Sequence, residues 1–440
     1  MQIDPAVDGE RADLLLLLTL LSAATLAFSL GHWGHVVDPL LMRLETKAWH
    51  RLITRPGEAF AYLGLGLTVA RAALWYAYRP VPLATFPNAP PLTVVVPAYN
   101  EGAMVARTID SVVAARYPRD RLDIIVIDDG SKDDTWEHIA AAAARHGDLV
   151  RTIRFPANRG KRAALAAGFR QARGDVVITI DSDSLIEPDT LLSMVAPFRN
   201  PRVGAVAGRV AVLNRNAGLI PRMLHVRYAV SFDFLRAAQS TVGTVYCCPG
   251  ALAAYRLSLV RRLLDRWLDQ TFLGAACTIG EDRAMTNLIL GERCDVVYQR
   301  TAVVHTMAPV TYRGLSKMFL RWDRSYVREE IHLARLLPRR PMATGLWVAL
   351  DMFGSNAGYL VGYAALVLFF GAAAHAPGLV LYLLLGIGLS ALLNTVYFLR
   401  IERSLHCLYG LAYGYYAAFA LFWILPYAAL TVRAKGWLTR

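Results

Sequence analysis

The stretch ITIDSDSL, residues 178–185, sets a β-favouring run directly against acid, serine, acid. Ile178, Thr179 and Ile180 suit a strand buried on both faces. Asp181 and Asp183 follow at once, two carboxylates separated by one residue. At a strand's carboxyl end such a pair can approach one phosphate-bound divalent cation, one of the two through water or a ribose hydroxyl. Hard oxygen ligands suit Mg or Mn. Surface turns produce the same triplet, so the neighbouring segments decide between the readings.

Upstream, TVVVPAYNEG ends a strand in Pro97, Tyr99, Asn100 and Glu101, and IIVIDDGSKDDT ends another in Asp128 and Asp129. Ligands of open α/β sheets collect at the carboxyl ends of strands, so three acid-bearing exits imply one pocket; the plain alternative is three polar turns. In NRGKRAALAAG, Lys161 and Arg162 open a helical stretch and can meet a diphosphate. IGEDRAMTNLIL places Glu281 and Asp282 at another helix start, where a carboxylate beside a bound sugar can deprotonate an acceptor hydroxyl, or simply cap the helix. FLRWDRSYVREE sets Arg321 beside Trp322: an indole stacks on a sugar ring and a guanidinium offsets diphosphate charge, although Trp also anchors to membranes.

These motifs lie in 440 residues that are 55% hydrophobic and carry a net charge of +13. Such a chain exceeds one ordinary domain and is too apolar to be wholly soluble. The charge favours anionic lipid or phosphate-bearing substrates. Nucleic acid is excluded as a partner, since there is no zinc-finger or RNA-binding motif and the basic residues are dispersed. Five cysteines follow no disulfide or zinc spacing, which fits a reducing cytosolic face. The acidic start MQIDPAVDGE is unlike a secretory signal.

The order of segments predicts an N-terminal membrane region, 1–90, with spans at about 12–31 and 59–78; the second tolerates Arg71 because it lies near the span's end. A cytosolic α/β domain follows at 91–310, with strands at 93–96, 124–127, 176–180 and 203–206 and crossover helices at 103–116 and 163–171. Interfacial helices fill 311–357, where 312–336 mixes basic and apolar residues as a membrane-surface or solvated helix would. A transmembrane hairpin occupies 358–400. The last segment, 401–440, is read as interfacial rather than spanning, because crossing would strand Arg433, Lys435 and Arg440 outside. This topology leaves Arg43, Lys47, Arg51 and Arg55 on the outer side, against the charge rule.

Taken in order, the segments from about residue 91 onward resemble the processive, membrane-embedded branch of glycosyltransferase family 2, especially hyaluronan synthases and rhizobial nodulation chitin-oligosaccharide synthases. The resemblance implies a GT-A α/β domain inserted between transmembrane and interfacial helices, with a UDP-sugar and Mg or Mn. It places Pro97, Tyr99, Glu101 and Asp129 around the uridine, Lys161 near the nucleotide, and Asp181 and Asp183 on ribose and metal. Glu281 falls on the substrate side and Asp282 becomes the base. The family's Gln-x-x-Arg-Trp element is matched by Arg321 and Trp322, with Met318 at the glutamine position. CCPGALAAYR, residues 247–256, is similar to the family's Cys-rich stretch near the acceptor, where the cysteines shape a wall. RAKGWLTR resembles a terminal gating element, with Trp437 and Arg440 as lid residues and Leu438 replacing a glycine. The implied enzyme is an inverting transferase of the cell (inner) membrane, multi-pass, that elongates a β-linked polysaccharide on a growing glycan acceptor and threads it through the bilayer. N-acetylglucosamine is the implied donor sugar. A single transfer to lipid, and a nucleotide-binding export subunit, are the two alternatives.

Overall fold

The computed structural model describes residues 38–434 and positions 14, 17, 18, 21–23, 25, 26, 28 and 29. Half of the first predicted span, and the lid residues Trp437 and Arg440, lie outside the described residues. The chain divides into two compact units, one made of Arg79–Arg340 and the segment from Ala420, the other of the segment up to Tyr78 and Pro341–Phe419.

Helices α1 (Asp38–Leu44) and α2 (Arg51–Ala77) precede the first strand. Strands and helices then alternate: β1 (Leu92–Ala98), α3 (Met104–Ala114), β2 (Leu122–Asp128), α4 (Thr135–His146), β3 (Val150–Arg154), α5 (Lys161–Gln171), β4 (Val176–Thr179) and β5 (Ser184–Ile186). After α6 (Thr190–Val195) and β6 (Val203–Val212), α7 (Leu219–Ala229) passes through a π-helical turn, Val230–Phe234, into α8 (Leu235–Thr241). Next are β7 (Ala253–Arg256), α9 (Leu257–Leu268), the hairpin β8 (Thr271–Phe272) and β9 (Ala275–Ala276), α10 (Glu281–Gly291), β10 (Asp295–Thr306) and α11 (Tyr312–Leu336). Helices α12 (Met342–Ala373), α13 (Leu379–Glu402), α14 (Leu408–Tyr416) and α15 (Ile424–Leu430) follow.

Eight strands form one mixed sheet in the order β3-β2-β1-β4-β7-β6-β10-β5. From β3 to β4 all neighbours are parallel. β7 runs antiparallel to β4 and to β6, and β10 returns parallel to β6. β1 is buried at every position, as a strand covered by helices on both faces must be. The chain moves outward from β1 through β2 to β3, then lays β4 on the other flank of β1. That reversal sets the carboxyl ends of β2, β1 and β4 side by side, the usual place for a ligand in such a sheet. The strands read from the sequence all form, three within two residues of their expected bounds, while β6 runs on to Val212, six residues past its expected end.

Helix α11 differs from a simple surface helix, because part of its charge points inward: Arg324, Arg328, Glu329 and Glu330 are buried. Each finds a partner that repays the loss of water. Arg324 donates to Thr431 Oγ1 at 3.0 and 3.1 Å, just beyond α15. Arg328 donates to Glu329 at 2.8 Å and to the Ile279 carbonyl at 2.6 Å, while Glu329 accepts from Gln270 at 2.8 Å and Asn287 at 3.0 Å.

In the other unit, Leu41 and Leu44 of α1 are buried, and Leu44 packs with Leu368, Ala372 and Leu379 at the α12–α13 turn. Among the described residues, three helices are long and apolar enough to cross a membrane: Ala48–Ala77, Met342–Ala373 and Leu379–Glu402. Leu405–Leu421 with Ile424–Leu430 adds a fourth if this broken pair counts as one crossing. Arg71, the charge inside the second predicted span, donates to Asp351 Oδ1 and to Ser355 Oγ, both at 2.6 Å. One turn on, Trp75 Nε1 donates to Tyr397 OH at 3.2 Å, tying α2 to α13. Glu45 pairs with Arg51 at 3.3 Å and Arg55 at 3.2 Å, which offsets part of the basic charge in the first turns of α2.

Candidate active site

The first two strand exits are stapled together. Beyond β1, Asn100 adopts φ 53° and donates its N–H to Ser131 Oγ at 3.0 Å, while its side chain accepts from Lys132 N at 2.9 Å. The N–H groups of Glu101 and Gly102 both reach Thr135 Oγ1 at 2.8 Å. Pro97 lies within β1, buried opposite Ile127, and Tyr99 follows at the half-exposed exit.

Asp129 is buried and its carboxylate is filled from within the chain. It accepts from Arg159 N at 2.7 Å, Gly160 N at 2.9 Å and Asn158 Nδ2 at 3.1 Å. Burial holds its carboxyl above the ordinary range in spite of these donors. The effect is to fix the loop that feeds α5, and Gly130 allows it: at φ 70°, a Cβ there would stand 2.4 Å from the Ala157 carbonyl carbon. Asp129 therefore sets the start of α5, and with it Lys161.

Lys161 Nζ lies 2.5 Å from Asp181 Oδ1 and 3.1 Å from Glu281 Oε1. Burial works against its charge, but these carboxylates outweigh burial and raise its pKa. Glu281 shows the reciprocal effect: burial pushes it up, Lys161 pulls it down, and the net shift is downward. Asp282, the next residue, goes the other way. Burial first, then the Glu281 charge, holds it above the usual aspartate range. Two adjacent acids at one helix start thus acquire opposite tendencies.

The Cys247–Gly250 stretch wraps that helix start. Gly250 N donates to Asp282 Oδ2 at 3.2 Å and the Cys247 thiol to the same oxygen at 3.7 Å. Burial, then the Asp282 charge, keeps that thiol protonated, so it acts as a donor. Cys248 is buried with its N–H on Thr286. The cysteines form a wall, and Gly250 also faces Asp181: a Cβ there would lie 2.8 Å from Lys161 Nζ and 3.5 Å from Asp181 Oδ1. The Asp181 and Asp282 carboxylates therefore flank one backbone segment.

Asp183 accepts from Thr306 Oγ1 at 3.2 Å and Ser184 Oγ at 3.3 Å. Arg321 is half-buried, and Glu281, Asp181, Asp282 and Asp183 all act on its guanidinium against the burial that lowers its pKa. α11 thereby brings its arginine to the acids supplied by β4 and α10. Trp322 stacks loosely, 6.4 Å from Tyr228 and 5.5 Å from Phe319. Among the described residues, no group of three or more His, Cys, Asp or Glu side chains could hold a metal ion. Asp181, Asp183, Glu281, Asp282, Lys161 and Arg321 thus share one site, with Pro97, Tyr99, Glu101 and Asp129 at the adjoining strand exits. Sequence reasoning passed over Gly250, Thr306 and Thr135, whose roles depend on long-range approach; only the glycine inside CCPG carried a local signal.

A family model described as glycosyl transferase family 2 matches residues 93–264. The chain is 33% identical to hyaluronan synthase of Streptococcus pyogenes over 289 residues, 64% of this chain and 68% of the relative. It is 30% identical to an N-acetylglucosaminyltransferase of Rhizobium leguminosarum bv. viciae over 399 residues, 88% of this chain and 92% of the relative. Among solved structures, a mannosyltransferase from Pyrobaculum calidifontis, in complex with GDP-Man and Mn2+, matches with a TM-score of 0.56 and 23% identity, covering 83% of this chain and 99% of that one. That likeness establishes the fold, which is GT-A.

Proposed function

The chain belongs to glycosyl transferase family 2, and from that membership we propose an inverting, membrane-embedded transferase that uses a UDP-sugar to elongate a β-linked polysaccharide. The observation that carries the catalytic assignment is the contrast between Glu281, committed to Lys161, and its neighbour Asp282, held above the usual aspartate range beside Gly250. Paired acids whose environments push them apart are the mark of an acid or base assignment.

In this reading Asp282 takes the proton of the acceptor hydroxyl, and that oxygen attacks the anomeric carbon from the face opposite the leaving UDP. Lys161 and Arg321 balance charge on the diphosphate. Trp322 supports the acceptor sugar, with Tyr228 and Phe319 behind it. Pro97, Tyr99 and Glu101 border the nucleoside, while Asp129 acts by holding the loop before Lys161. Asp181 and Asp183 are the protein groups that would hold a divalent cation: their hard oxygens suit Mg or Mn, and Asp181 already holds a cation, the Lys161 ammonium. A bound Mg or Mn supplies charge neutralisation on the departing diphosphate.

The relatives' printed activities support N-acetylglucosamine as a donor sugar and a growing glycan as acceptor. The apolar helices support a multi-pass membrane protein; in this reading it lies in the inner membrane with the catalytic unit cytosolic, and α15 and the segment around it lie in the interface, which keeps Arg433, Lys435 and Arg440 inside. One observation favours a single transfer to lipid instead: Met318 is buried and offers no hydrogen bond to an acceptor. Purified protein in detergent, given each UDP-sugar singly and in pairs with Mg or Mn, separates the two. UDP release with products that lengthen on one enzyme molecule supports elongation; UDP release with one-sugar products supports the second reading, and no release from any donor overturns both.

A further inference from the structure

Four carboxylates, Asp181, Asp183, Glu281 and Asp282, face two cationic side chains, Lys161 and Arg321, within the site. The ammonium of Lys161 does not wait in open water for a diphosphate. It sits 2.5 Å from Asp181 Oδ1 and 3.1 Å from Glu281 Oε1, with only 16% of its side chain exposed, so solvent screens these contacts weakly. Gly250 lets the backbone approach the same nitrogen, since a Cβ there would stand 2.8 Å from it.

We infer that Lys161 is the resident counter-cation of the unliganded site: it occupies Asp181, excludes a divalent ion from that carboxylate, and is handed to the donor's diphosphate when the nucleotide arrives. Charge accounting supports the order. A divalent ion entering alone must displace or crowd an ammonium already bound to the same oxygen. Nucleotide entering alone adds negative charge to a site with more acids than bases. A dianionic diphosphate and a divalent cation entering together leave the net charge unchanged, while the diphosphate gives Lys161 a new partner and frees Asp181. The consequence is strong mutual dependence of metal and nucleotide binding, reciprocal by linkage. The inference rests on Asp181 and Asp183 being the metal-holding pair.

The test measures Mn2+ binding to the full chain in detergent with and without UDP, by loss of the free-ion electron paramagnetic resonance signal, after correction for the Mn2+ that UDP alone binds in a protein-free titration. Wild type should bind Mn2+ at least about tenfold more tightly with UDP than without it. Lys161→Met should bind Mn2+ without UDP at least about tenfold more tightly than wild type does, and Lys161→Arg should remain weak. Equal Mn2+ affinity of wild type with and without UDP overturns the inference whatever the variants do. So does a folded Lys161→Met chain with wild-type Mn2+ affinity in the absence of UDP. If Asp183→Asn binds Mn2+ with UDP as well as wild type does, the assignment of the metal pair itself fails, which is a separate result.

Discussion

Gly250 donates its backbone N–H to Asp282 Oδ2 at 3.2 Å, and so aims one lone pair of the proposed base. The other oxygen accepts from Arg283 N at 2.7 Å. Fixed donors on both oxygens hold the carboxylate in one orientation before any acceptor arrives.

Asp282→Asn preserves size and can still accept from Gly250, yet cannot take a proton. The expected outcome is a fall in turnover of about 100-fold or more with UDP affinity near that of wild type. Transfer kinetics beside calorimetric UDP titration measure both, and ordinary turnover would remove Asp282 as the base.

A base acts only when ionised, and Asp282 is raised by burial and by Glu281. Its ionised fraction is complete above the raised pKa and falls as pH drops through it, so the acid limb of activity lies above that of an unperturbed aspartate. Glu281→Gln removes the like charge and frees Lys161 to act on Asp282; both changes lower the Asp282 pKa. The acid limb of kcat/KM against pH should move to lower pH in that variant, and a shift upward contradicts the coupling.

Gly280 precedes α10 at φ 71° and ψ 38°, and a Cβ there would stand 1.8 Å from Ser325 Oγ and 2.9 Å from Arg328 Nη2. Gly280→Ala meets both backbone strain of about 1 kcal/mol and a collision with α11. The variant should lose more than about 2 kcal/mol of stability and most of its activity, read by thermal melting and UDP release, since α11 also carries Arg321. Full activity with an unchanged Tm would show that α11 does not seat there.

Arg71 and Asp351 form a largely buried pair, 23% and 7% exposed. Removing one partner leaves an uncompensated charge among apolar helices, a cost of about 3 kcal/mol or more, whereas removing both is far milder. Arg71→Leu and Asp351→Leu should each melt in detergent well below the double variant. A double variant no more stable than either single one contradicts a direct pairing.

Much of this was legible from the chain itself. Parallel strands covered on both faces need unbroken apolar runs, so β1, β2 and β4 announce themselves, and the acids at their ends mark the rim on which ligands collect. Asp282 and Arg321 were identifiable because each sits in a compact motif. What the motifs do not encode is who meets whom. Asp129 reads as an open ligand group, yet its oxygens are taken by the 158–160 loop. The charge of α11 reads as surface, yet Arg328 and Glu329 pair internally with Gln270, Asn287 and the Ile279 carbonyl. Both differences arise from partners far along the chain, which hydropathy cannot register.

The unit that carries the acids is discontinuous: α15 and Thr431 pack on α11, where Arg324 donates to Thr431, Tyr312 OH donates to the Ala420 carbonyl, and the Trp423 indole N–H donates to Tyr312 OH. During synthesis, a ribosome that has released the chain only as far as Arg340 has delivered every carboxylate but not this final brace. The helix bearing Arg321, already seated on the Ile279 carbonyl through Arg328, gains this outer brace only after α12 and α13 have been made.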